Sequence, residues 1–250
     1  MVRLGIVATE LTSVGEDSHL DALCEISRSE RHVRWFELSL VLLISFGGSF
    51  LSSLYLMQTG KAGLTLLFPY RWTRGLIQEI PCLLLLAYVL SRRRRSVRDL
   101  GLRWSVRDVA VGLGLTIVSY LAYAIGSFLV YLVHHAFFPP GTSGISAADV
   151  TSHLSALTIP FTLINPFFEE LIVRAFLMSE VKDLTGSWTL AAALSVALQW
   201  SYHLYYGWDG AFSVAFIFLA FSIYYAQTRK ATPLVVAHGM LDLWALFWWK

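Results

Sequence analysis

Residues 109–136, VAVGLGLTIVSYLAYAIGSFLVYLVHHA, run for 28 positions without a Lys, Arg, Asp or Glu. About 20 mostly apolar residues suffice to cross ~30 Å of hydrocarbon, so this stretch reads as a membrane span and sets the terms for the rest of the chain. Working outward, similar apolar stretches occupy 35–57 and 76–91 on the N-terminal side, the second short and carrying Pro81. On the C-terminal side they occupy 154–181, 188–205, 211–228 and 233–249. A break in 154–181 near Pro160 or Pro166 would turn seven spans into eight, because proline interrupts the helical ladder. The expected fold is all-α: a polytopic transmembrane helical bundle of about seven to eight spans.

Composition agrees. Hydrophobic residues make up 56% of the chain and charged residues 14%, with a mean hydropathy of +0.60. A soluble domain carries about 25% charged residues. Cys24 and Cys82 lie in different segments, too few for a disulfide scaffold or a thiolate zinc site. Residues 1–34 scatter Glu10, Glu16, Asp17, Asp21, Glu25 and Glu30 through the sequence, unlike a signal peptide. They read as a cytosolic lead-in, with Asp17-Ser18 capping a short helix that carries Leu20, Leu23 and Ile26. The spans of 35–136 follow, and 150–250 forms the C-terminal part.

Lys and Arg in short loops set orientation. Residues 92–107 hold seven arginines, including Arg92 to Arg95, which places that loop in the cytoplasm. Arg28, Arg31 and Arg34 put the N-terminus on the same side. The absence of Lys and Arg from Val109 to Val173 suits an external loop at 137–153. Lys61, Arg71 and Arg74 dissent, falling on the outer side. The expected location is thus an integral, multi-pass membrane protein, in the plasma membrane if prokaryotic, with a cytoplasmic N-terminus. Lipids are its surroundings and no nucleic acid is an expected partner.

Ionisable side chains within a span are costly and point to function by default. Those that stand out are Glu169, Glu170 and Arg174 in the fourth span, His203 near the end of the fifth, and His238 and Asp242 in the seventh. Glu170 and Arg174 stand at i and i+4, as do His238 and Asp242, so each pair shares a helical face. Glu169 lies about 100° away from Glu170 around an α-helix, free to face a cavity. Counting ~1.5 Å per residue from the cytoplasmic ends puts Glu169 ~18 Å deep, His203 ~23 Å and His238 only ~8 Å. For one site, the seventh span must start further out and tilt, or the boundaries must shift.

The run Glu169-Glu170-Leu171-Ile172-Val173-Arg174 matches the Glu-Glu-x-x-x-Arg signature of the CAAX-protease and bacteriocin-processing membrane endopeptidases, and over 150–250 the chain resembles that family's core. His203 falls where the family has Phe-x-x-x-His, and His238 with Asp242 where it has His-x-x-x-Asn. Gln199 stands in place of the usual Phe, and Asp242 in place of Asn. The resemblance implies an intramembrane endopeptidase acting near the membrane surface on a peptide or lipidated membrane-protein substrate, including CAAX-type C-termini. In it Glu169 with His203 activates a water, while His238 and Asp242 stabilise the oxyanion. Glu170 and Arg174 support the helix and tune the base. An ionised Asp242 cannot donate to an oxyanion, so it must be protonated or orient His238. No metal is expected, because no His-Glu-x-x-His is present; a zinc alternative would use Glu169, His203 and His238. Two other functions compete: a non-catalytic family member acting in immunity or scaffolding, and a proton-coupled transporter using the same carboxylates.

Overall fold

The computed structural model describes residues 28–67, 70–137, 149 and 155–248. The lead-in helix expected around Asp17, and nearly all of the loop expected to be external at 137–153, lie outside these residues. The chain divides into two units, residues 1–37 and 38–250. The described residues of the first, 28–37, are helical. The second carries the bundle.

Among the described residues the regular structure is entirely helical. Helix α1 spans Arg28–Leu67, with a kink at Gly60, α2 Arg71–Arg92 and α3 Val106–Phe137. The fourth pass is composite: α4 (Thr158–Glu169), a π-helical segment (Glu170–Leu177) and α5 (Met178–Thr185). Helices α6 (Trp188–Tyr202), α7 (Gly207–Thr228) and α8 (Thr232–Trp248) complete it. Each expected span has a helix at its place, and four helical stretches are long and apolar enough to cross a membrane: 28–64, 71–92, 106–134 and 204–228. Pro166 is accommodated inside α4 rather than splitting the pass in two.

Helix α3 shows why the bundle suits lipid. Ile117, Leu121, Phe128 and Leu132 stand exposed along it, which water would penalise and hydrocarbon does not. Its inner face is made close by glycine. A Cβ on Gly112 would lie 2.6 Å from Val236 of α8, and one on Gly126 would lie 2.4 Å from Phe216 of α7. Small residues that let helices approach are the usual basis of packing in membranes, where apolar side chains gain little by leaving lipid.

The arginine-rich loop is built into the bundle. Glu180 of α5, fully buried, pairs with Arg93 at 2.6 Å and Arg95 at 3.4 Å. Leu100 is fully buried, and its carbonyl accepts the Tyr225 hydroxyl, which also lies 3.1 Å from Ser179 Oγ and donates to the Ala175 carbonyl. At Gly101, φ is +88°, and a Cβ would fall 2.0 Å from the Arg229 carbonyl, so only glycine fits. The Gly101 carbonyl accepts from Ala231 N at 3.0 Å, and the Thr232 hydroxyl exchanges hydrogen bonds with the Arg103 backbone.

These contacts start α8 level with Ala175–Ser179 rather than with the end of α5 at Thr185. The offset is six to ten residues, or ~9–15 Å. Added to the ~8 Å counted from the start of α8, it brings His238 to ~17–23 Å, against ~24 Å for Glu169 counted from the same Thr185. The depth conflict in the sequence arises from assuming that all cytoplasmic ends lie in one plane.

Candidate active site

Glu169 closes α4 and Glu170 opens the π segment, so the helix changes its hydrogen-bond register between two adjacent carboxylates. Short π segments are frequent at functional sites. The two side chains part. Glu169 turns into a cavity of about 310 Å³ enclosed by α1, α2, α4, α8 and the C-terminal end of α6. Glu170, fully buried, turns away into the packed interior with Arg174.

In the cavity wall Glu169 is held through one oxygen only. Its Oε2 accepts from the Tyr202 hydroxyl at 2.7 Å and from Gln199 Nε2 at 3.0 Å. Tyr202 is stacked on Phe46, ring centroids 5.0 Å apart, which fixes its hydroxyl. Among the described residues Oε1 has no hydrogen-bond partner, and the residue faces the cavity. A carboxylate anchored by one oxygen and open at the other is oriented without being consumed.

His203, His238 and Asp242 line the same cavity. Nδ1 of His203 lies 2.8 Å from the Gln199 carbonyl. A carbonyl can only accept, so Nδ1 carries the proton and Nε2 keeps its lone pair. The ring is confined by Tyr202, Tyr205, Tyr206 and Phe218, all with centroids within 6.0 Å. His238 donates from Nδ1 to Glu170 Oε1 at 2.8 Å, and its Nε2 lies 3.6 Å from Asp242 Oδ1. Asp242 accepts from Asn165 Nδ2 at 3.1 Å through its other oxygen. The side chain that fixes the His238 ring is therefore Glu170, with Asp242 beyond hydrogen-bond reach of it.

The expected pairing of Glu170 with Arg174 is present but loose. Nε and Oε2 stand 3.8 Å apart, and neither atom has a hydrogen-bond partner. A π register, bonded i to i+5, carries the i+4 residue out of the position it holds in an α-helix. Arg174 instead donates to Ser195 Oγ at 2.8 Å and to Gln199 Oε1, with its guanidinium 5.7 Å from the Phe218 ring centre. Full burial of this arginine is supported by hydrogen bonds and aromatic faces as well as by a counter-charge.

Four residues of this arrangement did not stand out in the sequence. Gln199, visible only as a departure from Phe, bridges Arg174 to Glu169 and offers its carbonyl to His203. Tyr202 and Asn165 hold the Glu169 and Asp242 carboxylates. Glu79 of α2 is 4% exposed, lines the cavity, and keeps Oε2 without a partner. As an acid inside the second span it carried the same signal as Glu169.

The zinc alternative would draw on Glu169, His203 and His238. Among the described residues no three His, Cys, Asp or Glu side chains converge as a metal site.

No curated protein and no solved structure matches the chain. Residues 151–244, the stretch that holds Glu169, Glu170, Arg174, His203, His238 and Asp242, are similar to the family model described as type II CAAX prenyl endopeptidase Rce1-like.

Proposed function

We propose that the protein is an intramembrane endopeptidase in which Glu169 activates a water for attack on a peptide carbonyl. The observation that carries this reading is the divided Glu169 carboxylate: Oε2 held by Tyr202 and Gln199, Oε1 open to a cavity shared with two histidines. A water bound between Glu169 Oε1 and His203 Nε2 gives one proton to the glutamate as its oxygen bonds to the carbonyl carbon. The oxyanion accepts from Nε2–H of a doubly protonated His238, which stands between the Glu170 and Asp242 carboxylates. Collapse breaks the C–N bond, and Glu169 passes its proton to the leaving amine. Glu170 positions His238, and Arg174 with Gln199 positions Glu169. Asn165 orients Asp242. No step uses a metal, and activity that survives exhaustive chelation is the expected result.

The same reading assigns 150–250 as the part that supplies these groups, with α1 and α2 as the opposite wall of the cavity. The N-terminus and the 92–107 loop are assigned to the cytoplasm on the positive-inside rule. The cavity is bounded by the C-terminal end of α6, the C-terminal half of α8 and the first turns of α2, so its mouth is at the other end of the bundle. In that orientation the substrate presents its peptide bond from the outer side, which favours a membrane-tethered peptide there over a cytosolic lipidated tail. The testing experiment is cleavage of a panel of membrane-tethered reporters by purified wild type and Glu169→Gln. Cutting by wild type alone is expected; equal cutting by both would remove Glu169 as the base.

A further inference from the structure

Helix α2 lies outside the stretch similar to that family, yet it places in the cavity wall an acid that the chemistry above does not use. The buried stripe of α2 runs through Trp72, Glu79, Cys82, Leu86 and Val89, at the spacings of one helical face. Glu79 is the acid in this stripe. A carboxyl there is costly unless it is paired or has a task.

Pairing does not account for it. Glu79 is 4% exposed and lines the cavity, and among the described residues its Oε2 has no hydrogen-bond partner. Its polar neighbours on the α1–α2 wall are committed to the fold. Gln78 donates to the Ser45 carbonyl and to Ser49 Oγ at 3.3 Å, and Arg74 to Ser52 Oγ at 3.0 Å. Ser53 Oγ accepts from Tyr205 N at 2.8 Å. The charged groups that face Glu79 are Glu169 of α4, Asp242 and His238 of α8, and Arg71 of its own helix, two of each sign. Neighbouring charge is thus close to balance and burial decides: Glu79 is held as the neutral acid.

The oxyanion in the reaction above has one donor, Nε2–H of His238. The resemblance supplies a second from position 242, but here that residue is an aspartate, which accepts from Asn165 Nδ2 at 3.1 Å and cannot donate when ionised. Resting on the endopeptidase reading, we propose that Glu79 is a further catalytic residue, its carboxylic O–H donating the second hydrogen bond to the oxyanion from the α2 wall. His238 faces Glu79, so the two donors converge on one part of the cavity. A carboxylic acid kept neutral by an apolar site suits this role, because it donates without bringing another charge into the cavity. Its proton stays on Glu79 throughout, and the proton transfers through Glu169 are unchanged. The acid on α2 thus takes over what Asp242 gives up.

Two measurements test this. The infrared spectrum of wild type in an ester-free detergent at neutral pH should hold a protonated-carboxyl band that Glu79→Gln lacks. If the two spectra agree there, Glu79 is ionised and the proposal falls, whatever the protein cleaves. The second measurement is binding, in phosphatidylcholine nanodiscs, of an apolar hexapeptide whose central amide is replaced by a phosphinate, a stable tetrahedral oxyanion, against the parent peptide. Wild type should bind the phosphinate about 100-fold or more tightly than the parent. Glu79→Met fills the space without a donor and should lose about 10²–10³-fold in phosphinate affinity, the usual contribution of one oxyanion donor, with little change for the parent. It removes a buried polar atom that has no partner, so it should melt no lower than wild type. Glu79→Gln keeps an N–H donor and should bind the phosphinate within about tenfold of wild type. A preference that survives Glu79→Met, or that Glu79→Gln loses as fully, overturns Glu79 as the donor and leaves the endopeptidase reading standing. A Glu79→Met protein that does not fold assigns Glu79 to the frame instead. No preference in wild type overturns both readings together.

Discussion

Glu169 and Glu180 are both buried carboxylates on the same composite helix, and only one of them looks out on a cavity. Glu180 has each oxygen within reach of an arginine, Oε2 of Arg93 and Oε1 of Arg95, and locks the 93–105 loop to α5. Glu169 has both of its donors on one oxygen and leaves the other to the cavity. Burial of charge is common to the two and so does not separate a site from a staple. The distribution of partners over the two oxygens does. A fully paired carboxylate has spent its acceptors on holding the fold, whereas a half-paired one is oriented and still able to take a proton.

The sharpest way to break this contrast is to remove the open acceptor. Glu169→Gln keeps shape and leaves a site for the Tyr202 hydroxyl to donate to, so the protein should accumulate and melt as wild type does. Its cleavage rate should fall by about 10²–10⁴-fold, the usual contribution of a general base. The opposite pattern is expected at the staple. Glu180→Ala strands two arginines against a packed helix and should cost ~3 kcal/mol, toward the lower end for one partner removed from a buried pair, because Arg93 and Arg95 retain some exposure. That loss would appear as a lower melting temperature in detergent, while kcat per folded molecule stays the same. A Glu180→Ala protein that melts normally but does not cleave would reverse the assignment of the two carboxylates.

How far the sequence reaches can be judged from the same residues. The seven passes were legible because lipid imposes a length and an absence of charge that apolar runs display directly. The Glu169, His203 and His238 grouping was legible because an ionisable residue in a span has few reasons to exist. Glu79 and Glu180 met that same criterion within 76–91 and 154–181 and were passed over, since neither belongs to a recurring motif. The level of α8 was hidden for a different reason: it depends on Leu100 and Gly101 tucking under Tyr225 and Ala231, contacts between positions more than 120 residues apart. The π register was hidden as well, because a change from i+4 to i+5 bonding leaves no composition signal in Glu-Leu-Ile-Val-Arg.

Gln199 tests the middle ground between staple and site. It accepts from Arg174 and donates to Glu169, so it joins the packed interior to the open cavity through one amide. Gln199→Phe installs the residue usual in the resembling family. It removes one donor to Glu169 and one acceptor from Arg174, at a cost of about 1–3 kcal/mol for the buried group left unsatisfied. Tyr202 still holds Oε2, so cleavage should fall by about 10- to 100-fold rather than vanish. The fall should lie mainly in kcat, since Gln199 orients the base without reaching the substrate. Unchanged kcat with a lowered melting temperature would place Gln199 with Glu180, as part of the frame.

The smallest effect is expected where the sequence departure looked most serious. Asp242 stands where the family has Asn, and an aspartate cannot donate to an oxyanion when ionised. The geometry removes the difficulty, because the His238 ring is fixed through Nδ1 by Glu170, and Asp242 lies 3.6 Å from Nε2 without a hydrogen bond to it. Asp242→Asn keeps a carbonyl oxygen to accept from Asn165 and changes only the charge beside the imidazole. Activity should therefore stay within about tenfold of wild type, the change reflecting a charged neighbour replaced by a neutral one at the rim of the site. Glu170→Gln tests the other side of the same ring and should cost more, because an amide oxygen is a weaker partner for Nδ1–H than a carboxylate. If the order is reversed, with Asp242→Asn inactive and Glu170→Gln nearly normal, Asp242 is the group that charges His238, and Glu170 joins Glu180 among the carboxylates that only hold the bundle together.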